Sequence, residues 1–94
     1  MAATLARHLR ITGVVQGVGY RYWMEREAQR RGLRGWVRNR RDGSVEAFVI
    51  GDPTQVDDMV DACRRGPAAA SVDAVDATPA ADDGSTGFRS LPTE

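Results

Sequence analysis

The chain predicts an α+β sandwich: one antiparallel four-stranded sheet plus a short fifth strand, with two helices on one face. Three observations carry that prediction. Segments of period-two hydrophobic alternation are interleaved with two segments of helical period. Their order along the chain is β-α-β-β-α-β followed by a short strand. The 94 residues suffice for one hydrophobic core and not for two, so residues 1–94 are expected to form a single domain.

Residues 5–12 alternate, with Leu5, Leu9 and Ile11 on one face and His8, Arg10 and Thr12 on the other, the pattern of a half-buried strand; Arg7 interrupts the inner face. Gly13 to Gly19 is a glycine-punctuated loop. Tyr20 to Arg31 then reads as a helix with Tyr20, Met24 and Ala28 on its inner stripe and Gly32 as its C-terminal stop. Trp36 and Val37 lie in a second strand, and Asn39 to Gly43 form a hairpin turn in which Asp42-Gly43 supplies the positive φ. In the third strand Val45, Ala47 and Val49 alternate with Glu46, Phe48 and Ile50, so the first set packs on helices and the second forms a mixed outer face with a possible contact patch at Phe48 and Ile50.

The second helix has the clearest signals: Asp52 as N-cap, Pro53 in the first turn, Val56, Met59, Val60 and Cys63 at i, i+3, i+4 and i+7, then Gly66-Pro67 as a stop. A weaker strand, about Ser71 to Ala77, is rich in Ala and Asp, with Val72 and Val75 its only large apolar residues. Thr78 to Gly87 reads as a long loop, and a short strand, about Phe88 to Leu91, closes the chain. This order is that of a ferredoxin-like βαββαβ sandwich, which by itself names no function.

Composition removes several classes of function. Cys63 is the only cysteine, so neither an intrachain disulfide nor a thiolate zinc cluster can form; its place in an apolar helical stripe marks it as a core residue. His8 is the only histidine, which excludes His-His metal motifs. No apolar run approaches the roughly 18 to 20 residues of a membrane helix, and Met1 to Arg7 lacks the h-region of a signal peptide, so the chain is read as soluble and cytoplasmic. Net charge is zero but unevenly spread. Residues 1–50 carry ten arginines against four carboxylates, and residues 51–94 carry three against nine, a difference of +6 and −6. The basic half either attracts anions or is an ordinary solvated face; charge alone supports both. The chain contains no lysine.

Candidate chemistry centres on the loop between strand one and helix one. A strand, a glycine-rich turn and a helix start point several backbone N–H groups into one concavity, which suits an anion. Gly17 and Gly19 let the backbone curl, although the loop is neither GxxxxGK[ST] nor GxGxxG, and a plain connecting turn fits it too. Arg21 lies in the first turn of the helix, where a cation opposes the macrodipole at a cost of about 0.3–1 kcal/mol unless an anion sits there. The competing reading is a surface ion pair with Glu25, four residues on, worth about 0.3–0.5 kcal/mol. Asn39 is either a turn residue bonding its own backbone or an amide that holds a water. Parallel neighbouring strands could bring its strand end near the first loop.

Two segments then point further. GVVQGVGYR (Gly13 to Arg21) resembles the first signature of the acylphosphatase family. GWVRN, three residues, Gly43, one residue, Val45, five residues and Gly51 resembles the second. Together they cover 26 positions, and Gly66-Pro67 and Phe88-Arg89 are similar as well. The resemblance implies an enzyme that hydrolyses acyl phosphates, the mixed anhydrides of carboxylic and phosphoric acid, to carboxylate and inorganic phosphate. It implies that Arg21 binds the phosphoryl oxygens beside the backbone N–H groups of Val15, Gln16, Gly17, Val18, Gly19 and Tyr20, and that Asn39 orients the attacking water. It implies no metal and no organic cofactor, and a small-molecule substrate; no nucleic acid or membrane partner is expected, and the chain is expected to be a monomer, although the sequence does not fix its oligomeric state.

Two other classes compete. A nucleic-acid-binding ferredoxin-like module would use the basic first half with Trp23, Trp36 and Phe48, and requires exposed aromatics on the two central strands, where only Phe48 qualifies. A regulatory or carrier-like domain would bind an anion without turnover, or descend from a module of a larger carbamoyl-phosphate-processing enzyme. The intact Arg21 and Asn39 favour catalysis.

Overall fold

The computed structural model describes residues 3–94; Met1 and Ala2, the start of the stretch read above for a leader, lie outside the described residues. The elements are β1 (Leu5–Val14), α1 (Tyr20–Arg30), β2 (Arg34–Asn39), β3 (Val45–Gly51), α2 (Pro53–Cys63), β4 (Ser71–Ala80) and β5 (Phe88–Ser90). They form one sheet in the order β4-β1-β3-β2-β5. The pairs β1–β3, β1–β4 and β2–β3 are antiparallel.

Two details of the topology differ from expectation. The fifth strand pairs in parallel with β2, so the sheet is mixed. The reason lies in where the chain re-enters. Ala80, at the end of β4, is level with Ala6, and Ile50 is level with both Ala6 and Arg34. The connection therefore lands at the end of the sheet where β2 begins, and β5 must run the way β2 runs. The supposed parallel neighbours, β1 and β2, are not neighbours: they run in the same direction with β3 between them. Their C-terminal ends nonetheless share one end of the sheet. Ile11 and Asn39 flank Val45 in register.

The core lies between the sheet and both helices. Leu9, Ile11, Val37, Val45, Ala47 and Val49 meet Tyr20, Met24, Ala28, Val56, Met59 and Cys63, all essentially inaccessible to solvent. Fully burying each large apolar side chain among them contributes about 1.5–3 kcal/mol. Arg7, in the inner-face position between Leu5 and Leu9, is half-buried, and its Nη1 donates to the Ala6 carbonyl at 3.0 Å. Gly32, at φ +71°, ends α1 as expected, with Leu33 N donating to Ala28 O at 2.9 Å. Cys63 is buried and its thiol is pushed up to about 12 by desolvation, as suits a packing residue.

The outer face is not the exposed patch anticipated at Phe48 and Ile50. Both are buried, in a second cluster with Ala6, against which Trp36 and Ala80 pack. Trp36 stacks on Phe48 with ring centroids 5.9 Å apart. The segment after β4 ties itself over this end of the sheet. Arg34 pairs with Asp82 and donates to the Ser85 carbonyl at 2.7 Å, and the Trp36 indole N–H donates to Asp83 at 3.2 Å. The loop expected from Thr78 begins only at residue 81, because β4 stays paired with β1 through Ala80. Backbone pairing, not apolar side chains, extends that strand: of its residues only Val75 is buried.

Candidate active site

The loop after β1 is shaped by residues with opposite tasks. Gly13 sits at an irregularity in the β1–β4 ladder, where a Cβ would lie 2.2 Å from the Ser71 carbonyl oxygen; close backbone approach demands glycine there. Val15 drops into the core at 2 % exposure and anchors the loop. Gly17 (φ +74°) and Gly19 (φ +79°) then take left-handed conformations, and a Cβ at either position would meet nothing within 4 Å, so conformation and not crowding selects glycine.

The chain next enters α1 through Gly19 at the N-cap, where no side chain caps the helix. The N–H groups of a helix's first turn have no intrahelical partner, and here no side chain at the cap satisfies them. The first turn contains no acid and does contain Arg21. Among the described residues Arg21 makes no ion pair or hydrogen bond. The alternative of a surface pair with Glu25 does not form: Glu25 instead accepts from the Ser90 backbone N–H at 3.1 Å. Tyr20 is buried, and its hydroxyl donates to the Cys63 carbonyl at 2.6 Å, pinning the start of α1 to the end of α2. Burial raises its phenol far above the ordinary range, so Tyr20 serves as a neutral tether.

Asn39 closes the site from the other side. It ends β2 on the same, helix-facing side as Val37, at the level of Ile11. Its Oδ1 is buried without a hydrogen-bond partner. The turn-residue reading predicts a side chain bonded to its own backbone; that role belongs instead to Asp42, which accepts from Ser44 N at 2.9 Å and Ser44 Oγ at 2.6 Å. Those two bonds and Arg10 hold the Asp42 carboxyl down at about 2, so the turn keeps its charge. A buried acceptor left unmatched costs on the order of 1–3 kcal/mol, which makes Asn39 Oδ1 a pointer to function.

One cavity of about 160 Å³ gathers these groups, lined by Val15, Gln16, Gly17, Gly19, Tyr20, Arg21, Tyr22 and Asn39. Of the residues expected at the site, Val18 alone does not line it; its side chain packs against the core. Two contributions escaped the sequence reading. Gln16 was expected for its backbone, yet its side-chain amide donates to the carbonyls of Arg40 (2.7 Å) and Ser44 (2.9 Å), lacing the loop to the hairpin that carries Asn39. Tyr22 was not anticipated at all. Its signal was its place: one residue after Arg21 in the first helical turn, outside the buried stripe of Tyr20, Met24 and Ala28.

Among the described residues no group of three or more His, Cys, Asp or Glu side chains is gathered as a metal site, and no helix is long and apolar enough to cross a membrane. Chemically, the cavity is lined by the glycine-rich loop, by one guanidinium with no partner among the described residues and by one amide whose oxygen has no protein donor.

A family model described as acylphosphatase matches residues 7–90. The chain is similar to an acylphosphatase of Nitrobacter hamburgensis, 60% identical over 77 residues that make up 82% of this chain and 78% of the relative. It is similar to an acylphosphatase of Azoarcus sp., 54% identical over 88 residues, 94% of this chain and 90% of the relative. Its fold matches the crystal structure of acylphosphatase from Bacillus subtilis with a TM-score of 0.90 and 34% identity, covering 93% of this chain and 98% of the other.

Proposed function

The chain belongs to the acylphosphatase family and is a hydrolase of acyl phosphates, and from that premise we propose how its own residues carry the reaction. The observation that carries the proposal is that Arg21 and Asn39 line the same cavity. The phosphoryl group lies in the curl of residues 15–20, its oxygens accepting from backbone N–H groups and from the planar fork of Arg21. That fork contacts two oxygens at once, which an ammonium cannot reproduce. A bound anion also reverses the balance at the helix start, where an isolated cation opposes the macrodipole.

Asn39 positions the nucleophile. Its Oδ1 accepts a hydrogen from a water and so turns the water's lone pair toward phosphorus. The water oxygen bonds to phosphorus, the bond between phosphorus and the acyl oxygen breaks, and its electron pair leaves with the carboxylate. The water's proton passes to an oxygen of the substrate's own phosphate, since no histidine, cysteine or carboxylate lines the cavity. An acyl phosphate has a good leaving group, so positioning and charge stabilisation carry most of the acceleration. A rate profile requiring a protein base near pH 6.5 would contradict this proton path.

In this reading the protein acts as one domain, a cytoplasmic monomer working without metal or organic cofactor on a small-molecule substrate, with no nucleic acid or membrane partner. The stacking surface a nucleic-acid module needs is poorly available: Phe48 is buried and Trp36 is stacked on it and bonded to Asp83.

The test is hydrolysis of benzoyl phosphate with a metal chelator present, by wild-type protein and by Arg21→Ala. Chelator-resistant turnover that the variant loses supports the assignment. Turnover that survives Arg21→Ala, or that needs added metal, overturns it.

A further inference from the structure

The phosphoryl side of the substrate accounts for the backbone loop, Arg21 and Asn39, but not for Tyr22. Tyr22 is 63% exposed, and it and Val14 are the two large hydrophobic residues that stand out to solvent among the described residues. Unlike Val14, Tyr22 also lines the catalytic cavity.

Its direction follows from the helix. Side chains of an α-helix tilt toward its N-terminus, so a residue in the first turn overhangs the groups that precede it. In α1 those groups are the anion-binding loop. Tyr22 is also held in place: Arg26, one turn on, donates from Nη1 to the Tyr22 hydroxyl at 2.9 Å, with its guanidinium carbon 5.5 Å from the ring centroid. An ordinary exposed tyrosine has no such restraint.

Volume decides what the ring can meet. A cavity of about 150 Å³ is of the size that encloses one benzene ring. The site, at about 160 Å³ and open to solvent, is of that order, so a phosphoryl group seated in it leaves little room for a ring beside it. The acyl body must project from the mouth, where Tyr22 supplies the exposed aromatic surface.

We propose that Tyr22 is the acyl-contacting residue of this enzyme, a platform that favours acyl phosphates bearing an aromatic or extended apolar group over those with a small acyl group. The proposal rests on the catalytic reading given above. Ring-to-ring or ring-to-alkyl contact against Tyr22 lowers the energy of the bound substrate and of the transition state alike, since the acyl body stays in place while phosphorus changes partners. The selectivity therefore resides mainly in KM.

The experiment compares kcat and KM for benzoyl phosphate and acetyl phosphate in wild type, Tyr22→Ala and Tyr22→Phe, with inhibition by inorganic phosphate measured in each. In Tyr22→Ala the kcat/KM for benzoyl phosphate is expected to fall about 2- to 12-fold further than that for acetyl phosphate, through KM. Tyr22→Phe, which keeps the ring, should retain most of the preference. Phosphate inhibition should shift by less than about twofold, because phosphate carries no acyl group to lose the contact. Equal losses for the two substrates, or a loss matched by weaker phosphate inhibition, would overturn the acyl role and leave the catalytic assignment standing. Wild-type protein inert toward both substrates would overturn the catalytic assignment itself and this proposal with it.

Discussion

The two helices begin in opposite ways, and the contrast separates structure from function. At α2, Asp52 accepts from the Gln55 backbone N–H at 3.3 Å and Pro53 occupies the first turn, so a side chain and a ring consume the needs of the free helix end. At α1, Gly19 caps the helix with no side chain at all, no acid lies in the first turn, and Arg21 places a positive charge where the helix is already positive. The first start is complete within the protein. The second has no such partner in the protein, and in the function proposed above an anion completes it. An end designed only for stability would look like the first, and both occur in one chain of 94 residues.

The largest effect that could break this comparison is catalytic. Arg21→Ala should cost about 2.7–4 kcal/mol of transition-state stabilisation, read from kcat/KM for benzoyl phosphate, and Arg21→Lys should rescue little of it because the planar fork is lost. Asn39→Ala, with a thermal melt to confirm folding, should lower turnover more than it weakens phosphate binding. The reverse pattern would reassign Asn39 from the water to the phosphate.

A smaller effect concerns the backbone. Gly19→Ala forces a side chain into a left-handed conformation and should destabilise the fold by about 1–2 kcal/mol in urea titration, while weakening phosphate inhibition. Unchanged stability would mean that the curl at the start of α1 is not maintained without an anion. Asp52→Ala should cost about 1 kcal/mol of stability in the same titration and leave kcat/KM near wild type, since its cap serves α2 alone. A loss of activity there would erase the division of labour between the two helix starts.

The smallest effect is the most diagnostic. Without phosphate, Arg21→Ala should raise stability by about 0.3–1 kcal/mol, because it removes a cation that opposes the α1 dipole. With saturating phosphate the order should invert, wild type gaining more from the ligand than the variant. A destabilised variant in phosphate-free buffer would show that Arg21 has a structural task after all.

Much of this was legible in the chain. The cap at Asp52, the stops at Gly32 and Gly66-Pro67, the turn at Asp42-Gly43 and the inner stripe of α1 are signals contained in a few consecutive residues, and they appear where the residues place them. The loop, Arg21 and Asn39 were marked by glycine placement, a misplaced charge and the resemblance of two motifs. For the isolated side chains, however, each local argument had a structural alternative at least as good. Arg21 with Glu25 fitted helix statistics as well as the functional reading did, and Asn39 with its own turn fitted hairpin statistics better.

Tertiary structure removed the local pairings from those alternatives, because they turn on which partner a side chain actually finds. Glu25 is engaged by the backbone of Ser90, 65 residues away, and the turn is closed by Asp42, which frees Arg21 and Asn39 for the cavity. The same non-local pairing set the parallel entry of β5 and the cover over Phe48 and Ile50, and brought Asn39 to the cavity that Tyr22 lines. By itself the sequence determined the elements, their order and the conformations that glycine, proline and caps impose, since these depend on sterics and hydrogen bonds within a turn or two. Which strand end faces which loop, and which side chain is left without a partner, depended on register across strands far apart in the chain, and only the folded arrangement decides that.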